Sequence, residues 1–181
     1  MSWIEVESKI KVSKPDELRK KIKKIARFVK IENKIDDYYA LDSAGDYPKK
    51  SLRVRDKSKK VEVNFKQPIS YENGIWAKRE SEFEVSDLKN FFGLLKDFGF
   101  KKWLRKEKKT ELYKTNDGVN IELNQVKNLG WFLEIEVLAA ENEIKEAMKK
   151  VENVRRELGL RGEDVEKLGY TKELWAMRHA D

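Results

Sequence analysis

Trp3-Ile4-Glu5-Val6-Glu7-Ser8-Lys9-Ile10-Lys11-Val12 is the stretch on which the fold turns. In an extended chain, successive side chains point to opposite faces. Ile4, Val6, Ile10 and Val12 then share one face, and Glu5, Glu7, Lys9 and Lys11 the other. The period is two, so the segment reads as a strand with one apolar and one charged side.

Seven further segments alternate in this way, at residues 35–41, 51–56, 60–67, 76–85, 101–114, 119–126 and 131–139. Turn chemistry separates them. Asp42-Ser43-Ala44-Gly45 follows the second strand, Lys57-Ser58-Lys59 closes a hairpin, and Asn116-Asp117-Gly118 is a strong hairpin turn. Helical spacing marks residues 16–29, where Leu18, Ile22, Ile25, Ala26 and Val29 share a face behind Pro15. Ser86-Asp87 caps a second helix, with Phe91, Phe92, Leu94, Leu95 and Phe98 as its core face and Gly99 as its stop. An amphipathic helix over 141–158, a short one at Asp164 and a last one from Tyr170 follow, with His179 as a tail residue. No repeat, low-complexity run or linker interrupts the pattern. The expectation is one domain over 1–181, of α+β class: a closed eight-stranded antiparallel barrel, which removes exposed edges, with helices outside it.

The second face of strand after strand is charged. It carries Glu5, Glu7 and Lys9, then Arg53 and Arg55, then Glu62, Asn64 and Lys66, then Lys78, Glu80, Glu82 and Glu84, and finally Glu134 and Glu136. In the strand over 101–114, either Lys106 and Lys108 or Arg105 and Lys109 share that face. A sheet solvated on one side shows the same pattern as a charged lumen, and alternation does not separate the two. In a lumen, Arg and Lys would hold phosphate oxygens by charge-assisted hydrogen bonds. Carboxylates there would hold Mg²⁺ or Mn²⁺, which prefer oxygen.

Composition narrows the chemistry. The 181 residues include no cysteine and one histidine, which argues against disulfides, thiolate zinc sites and a Ser-His-Asp triad. Charged residues make up 40% and the net charge is +7, so the partner is expected to be anionic. Neither a transmembrane stretch nor a signal-peptide core is visible, so a cytoplasmic protein without a membrane partner is expected. The charged faces carry as many Glu as Lys or Arg, which argues against nucleic acid. The five tryptophans read as core or rim fillers, and the lysines of residues 20–24 as a solvated helix face.

These residues also carry a resemblance. Glu5-Val6-Glu7-Ser8-Lys9 matches the E-x-E-x-K opening of the CYTH, or triphosphate tunnel, family, which includes class IV adenylyl cyclases and thiamine triphosphatases. Asp36-Asp37-Tyr38-Tyr39 resembles its D-x-Y-Y/F strand, Leu52-Arg53-Val54-Arg55 its L-R-x-R strand, and Lys66-Gln67-Pro68 its K-G-P strand end. Lys78, Glu80 and Glu82 fit R-x-E-x-E with Lys for Arg, and residues 123–136 resemble L-D-x-V-x-x-L-G-x-F-x-E-I-E. Gly169 to Leu174 looks like the terminal S-Y-x-E-L-L. The resemblance implies a tunnel that binds a triphosphate and Mg²⁺ or Mn²⁺. It implies metal ligands at Glu5, Glu7, Glu134 and Glu136, and phosphate ligands at Lys9, Arg53, Arg55, Lys66 and Lys78. Supporting positions are Tyr38, Glu80, Glu82, Lys106, Lys108, Lys109, Glu122 and Asn124. Asn124 departs from the family's Asp: it keeps an oxygen ligand but loses a charge, and Glu122 lies on the same face to compensate. The implied activity is cyclisation of ATP or hydrolysis of a triphosphate such as tripolyphosphate or thiamine triphosphate, by a monomer or homodimer. A non-catalytic triphosphate-binding protein is the rival reading.

Overall fold

The computed structural model describes residues 2–41, 45–57 and 60–179. Most of the predicted Asp42-Ser43-Ala44-Gly45 loop, and Ser58-Lys59 of the hairpin turn, lie outside the described residues. Eight strands form: β1 (Ser2–Val12), β2 (Arg27–Ala40), β3 (Leu52–Asp56), β4 (Val61–Glu72), β5 (Ile75–Val85), β6 (Lys101–Lys114), β7 (Asn120–Val126) and β8 (Gly130–Ala139). Between and after them come α1 (Pro15–Ile25), α2 (Leu88–Asp97), α3 (Ile144–Glu157) and α4 (Tyr170–Arg178), with single 3-10 turns at Glu141–Glu143 and Gly162–Asp164. The strands close into an antiparallel barrel in the order β1-β5-β4-β3-β2-β6-β7-β8, with β8 returning to β1.

The barrel is apolar outside and charged inside. Ile4, Val6 and Ile10 of β1, Ile75 and Ala77 of β5, Ile121 and Leu123 of β7, and Leu133 and Ile135 of β8 are buried against helices on the outer wall. Leu18 and Ile22 of α1 and Ala147, Val151 and Val154 of α3 complete that core. A smaller cluster of Val54, Val61 and Val63 packs against Leu88 and Phe91 of α2. Full burial of one such side chain stabilises by about 1.5–3 kcal/mol. A one-residue slip of any strand would send those side chains inward and the charges outward, so burial outside fixes which residues face the lumen.

Several elements differ from the sequence reading. α1 carries Pro15 in its first turn, acids Asp16 and Glu17 near its start and Lys23 and Lys24 near its end, as the macrodipole favours. It stops at Ile25 rather than at residue 29, because Ala26 is extended and Arg27 already belongs to β2. Phe28 sits opposite Tyr113 of β6 in an edge-to-face contact at 5.6 Å, and this cross-strand pairing overrides the helical spacing. The side chain of Asp87 caps α2 by accepting from the Asn90 amide at 3.1 Å. Phe91 packs inward from α2, but Phe98 is 70% exposed beyond the helix end and is not core. β4 continues past residue 67 to Glu72, where Asn73 and Gly74, at φ 50° and 79°, make a tight turn into β5. His179 is exposed, with its ring stacked on Trp175 at 4.3 Å. Among the described residues, no helix is long and apolar enough to cross a membrane.

Candidate functional site

The barrel encloses a cavity of about 840 Å³, within the range of small-molecule sites. Eight cations from the strands line it: Lys9, Lys34, Arg53, Arg55, Lys66, Lys78, Lys106 and Lys108. Seven carboxylates from the strands line it with them: Glu5, Glu7, Glu80, Glu82, Glu122, Glu134 and Glu136. Each strand supplies at least one of these groups. The charged-lumen alternative therefore describes the molecule, and the solvated-sheet alternative does not.

Ion pairs organise the wall into three groups. On β1, β4 and β5, Lys66 Nζ meets Glu5 at 2.5 Å and Glu80 at 2.6 Å, and Lys78 donates to Glu7. Burial raises the Glu5 carboxyl to about 7, with Glu7 and Glu80 adding repulsion against the pull of Lys66. Burial would raise Glu7 as well, but Lys78 and Lys66 overcome it and hold that carboxyl down at about 2. Two carboxyls on the same face of β1, two residues apart, thus take opposite directions, set by which lysine each meets.

The second group spans β2, β3, β4 and β6. Arg55 donates to Asp36 through Nε at 2.6 Å and Nη2 at 3.1 Å, and Lys106 lies 3.0 Å from the same carboxylate. Asp36 is fully buried, and although burial opposes ionisation, Lys106 and Arg55 hold it well below the usual carboxylate range. Arg53 reaches Glu62 at 3.0 Å and Glu82 at 3.4 Å.

The third group lies on β6, β7 and β8. Lys108 Nζ donates to Glu122 and Glu134, each at 2.9 Å, and Lys34 of β2 donates to Glu122 at 2.6 Å. Burial works against the charge of Glu122, but Lys108 and Lys34 keep the carboxyl low. Glu136 accepts from Asn120 Nδ2 at 3.2 Å, and burial with Glu122 and Glu5 nearby pushes its carboxyl well up.

The end of the lumen nearest α4 is lined by that helix and the segment before it. Lys9 donates to the Leu168 carbonyl and to Glu173 at 3.3 Å, while its ammonium lies 4.3 Å from the Tyr170 ring. Lys106 and Lys108 approach the same ring at 5.3 and 5.9 Å. Tyr38 faces Lys106 at 5.6 Å. Among the described residues, the Tyr170 hydroxyl and Arg53 Nε are buried without a hydrogen-bond partner. Such groups are costly to leave unmatched, and both belong to residues that line the cavity.

Two sequence expectations need correction. Lys106 and Lys108 are buried on the lumen side, whereas Lys109 is exposed on the outer side with Arg105, which pairs with Asp37. Lys109 therefore does not line the cavity. Asn124 does not offer its oxygen to a ligand: Oδ1 accepts from Thr110 at 2.6 Å, and Nδ2 donates to Glu134 at 2.7 Å and to Glu122 at 3.4 Å. Glu84 also leaves the lumen set, pairing with Lys60 in an exposed bridge. Sequence reasoning missed Lys34 and Asp36 as site residues. Their signal is the alternation of Lys34, Asp36 and Tyr38 on β2, hidden because β2 begins eight residues before its predicted start.

The donor set suits a hard cation by its chemistry, since every acidic group in the lumen is an oxygen ligand. Glu5 and Glu136 are carboxyls whose crowding a cation would relieve. Among the described residues, however, no group of three or more His, Cys, Asp or Glu side chains is drawn together as a ready-made metal cluster. The carboxylates rest on lysine and arginine instead.

Solved structures share this architecture. PH1012 from Pyrococcus horikoshii OT3 is 35% identical with TM-score 0.76, covering 93% of this chain and 98% of its own. PH1819 from the same organism is 33% identical with TM-score 0.78, covering 96% of this chain and 99% of its own. A more distant fold match, 16% identical with TM-score 0.61, is HpAC1 from Hippeastrum, a proposed adenylyl cyclase with a dominant triphosphatase activity; it covers 99% of this chain and 96% of its own. No curated protein matches the chain. The CYTH domain model matches residues 3–170. With that span and the eight-stranded charged tunnel, the chain belongs to the CYTH domain family.

Proposed function

We propose that this chain is a metal-dependent phosphoryl-transfer enzyme acting on a triphosphate inside the barrel. The observation that carries the reading is the convergence of eight Lys and Arg side chains from six strands on one enclosed cavity. A polyanion is the ligand that such a set answers, because each phosphate oxygen accepts charge-assisted hydrogen bonds. Arg53, Arg55, Lys66, Lys78, Lys106 and Lys108 would bind phosphate oxygens, and Lys9 would do so at the α4 end. Glu5, Glu7, Glu134 and Glu136 would hold Mg²⁺ or Mn²⁺. A bound divalent ion supplies neutralisation of the charge on the transferring phosphate.

The wall explains how those roles combine. Cations and carboxylates now satisfy one another. A triphosphate entering the cavity takes the cations as partners and leaves the carboxylates in excess, which is the condition in which they attract metal. Ligand and metal therefore bind as a set. HpAC1 combines a cyclase designation with a dominant triphosphatase activity, and hydrolysis is the reading we favour here. The test is incubation with ATP, tripolyphosphate or thiamine triphosphate in Mg²⁺ or Mn²⁺. Release of phosphate supports hydrolysis, cyclic AMP with pyrophosphate supports the cyclase reading, and tight binding without turnover supports the non-catalytic one.

A further inference from the structure

Asn124 is fully buried on β7, opposite Thr110 of β6 and Phe132 of β8, and its side chain reaches diagonally to Glu134 of β8. A carboxylate only accepts hydrogen bonds, so the group 2.7 Å from Glu134 Oε2 must be the amide nitrogen. That assignment leaves Oδ1 toward the Thr110 hydroxyl, 2.6 Å away. Thr110 is itself fully buried, so its hydroxyl, donating to Oδ1, anchors the amide in the orientation that Glu134 selects. Lys108 reaches the same oxygen of Glu134, Oε2, at 2.9 Å. Glu122 Oε2 also accepts from both Lys108, at 2.9 Å, and Asn124, at 3.4 Å. Two acids on neighbouring strands are thus bridged by one ammonium and one neutral amide.

We propose that Asn124, anchored by Thr110, is a positioning residue that holds Glu122 and Glu134 side by side and so presets the β7–β8 carboxylates for the cation of the proposed reaction. This rests on the functional reading above for the cation, but the positioning itself does not. An aspartate at this point would put a third carboxylate 2.7 Å from Glu134, a contact that needs a proton or a cation to persist. The asparagine therefore makes this flank of the tunnel stable without metal. Its side chain is fully buried and does not line the cavity, so it acts through Glu134.

The test uses the full chain and reads stability in EDTA, metal binding and turnover separately. Asn124→Asp should lower the thermal midpoint in EDTA by roughly 3–10 °C, with Mn²⁺ restoring part of the loss. The exchanged pair Asn124→Asp with Glu134→Gln reverses donor and acceptor and should recover most of the EDTA midpoint. Its Mn²⁺ affinity and turnover should nevertheless stay at least tenfold below wild type, because the Glu134 charge is gone. Thr110→Val should weaken Mn²⁺ binding several-fold, and Thr110→Ser, which keeps the hydroxyl, should match wild type. A purely structural contact would move the midpoint without separating Thr110→Val from Thr110→Ser in metal affinity. The proposal is overturned if Asn124→Asp keeps the wild-type midpoint in EDTA, if the exchanged pair fails to recover it, or if the two Thr110 variants bind Mn²⁺ alike. Wild-type protein that binds no metal and turns over no triphosphate would overturn the functional reading and the metal part of this one. The EDTA comparison would still decide whether Asn124 positions the acids.

Discussion

Arg53 and Arg55 show how a residue's partner decides its role. Both guanidinium groups leave β3 on the lumen side, two residues apart. Arg55 is committed to Asp36 by two hydrogen bonds, whereas Arg53 reaches Glu62 and Glu82 and keeps Nε buried without a partner. Arg53 is thus the better placed of the two to take a phosphate oxygen. Arg53→Ala should weaken tripolyphosphate binding by about 1.5–3 kcal/mol for each charged hydrogen bond lost. Calorimetry that returns the wild-type affinity would remove Arg53 from the cradle. Asp36 predicts the complementary outcome. It is buried between Arg55 and Lys106, so Asp36→Asn leaves two cations without their counterion and should destabilise the fold by about 3–5 kcal/mol. Urea unfolding measures this directly, and a change below about 1 kcal/mol would mean that the pair is solvated.

At the level of elements, strand parity was legible in the sequence on every strand but β6, and strand length was not. Ile4 and Val6 against Glu5 and Glu7 predict the two faces of β1, and the structure has the first pair under α3 and the second in the lumen. Parity survives because a side chain's face depends only on its own strand. Length depends on neighbours. The first turn of residues 27–35 reads as helix or loop until β6 is present to pair with it. Lys34 went unrecognised for that reason, and the choice between Lys108 and Lys109 stayed open until register was known. Which carboxyl is raised and which lowered was equally illegible, because Glu5 and Glu7 differ only in the lysines that β4 and β5 bring to them. The Asn73-Gly74 pair was a readable signal that the alternation scan passed over. Gly74 combines φ 79° with a site where an added Cβ would lie 2.6 Å from Val165 Cγ2. Gly74→Ala should therefore lower stability by more than the ~1 kcal/mol expected of backbone strain alone. Thermal unfolding of that variant against Gly93→Ala, a position with open space around it, separates the close contact from a general effect of alanine.

For the whole molecule, the inverted barrel sets how stability depends on pH and metal. The apolar core lies outside the wall, so the lumen adds little hydrophobic stabilisation and its charges must balance. Asp36, Glu7 and Glu122 have carboxyls held below their ordinary values by lysine and arginine against the effect of burial. Their contribution is fully present above the unfolded carboxylate range and is lost as pH falls from that range through their depressed folded values. Glu5 acts in the opposite sense. Its carboxyl is raised to about 7 by burial and by Glu7 and Glu80, so it is neutral in both states in acid and disfavours the fold as pH rises from about 4.5 to about 7. Glu136, also raised by burial and like charge, adds to this loss. In EDTA the thermal midpoint should therefore be highest in mildly acidic solution and lower at about pH 8. Glu5→Gln should flatten the alkaline side of that curve while leaving the acid side unchanged. A divalent ion substitutes for the proton that Glu5 loses, so the gain in midpoint from Mg²⁺ or Mn²⁺ should be larger at about pH 8 than at about pH 5.5. Metal binding near neutral pH should release protons, visible as a calorimetric heat that changes with the buffer's ionisation enthalpy. If Mn²⁺ raises the midpoint equally at both pH values and releases no proton, the cation does not meet Glu5 or Glu136, and the β1 and β8 carboxylates serve only to balance the lysines.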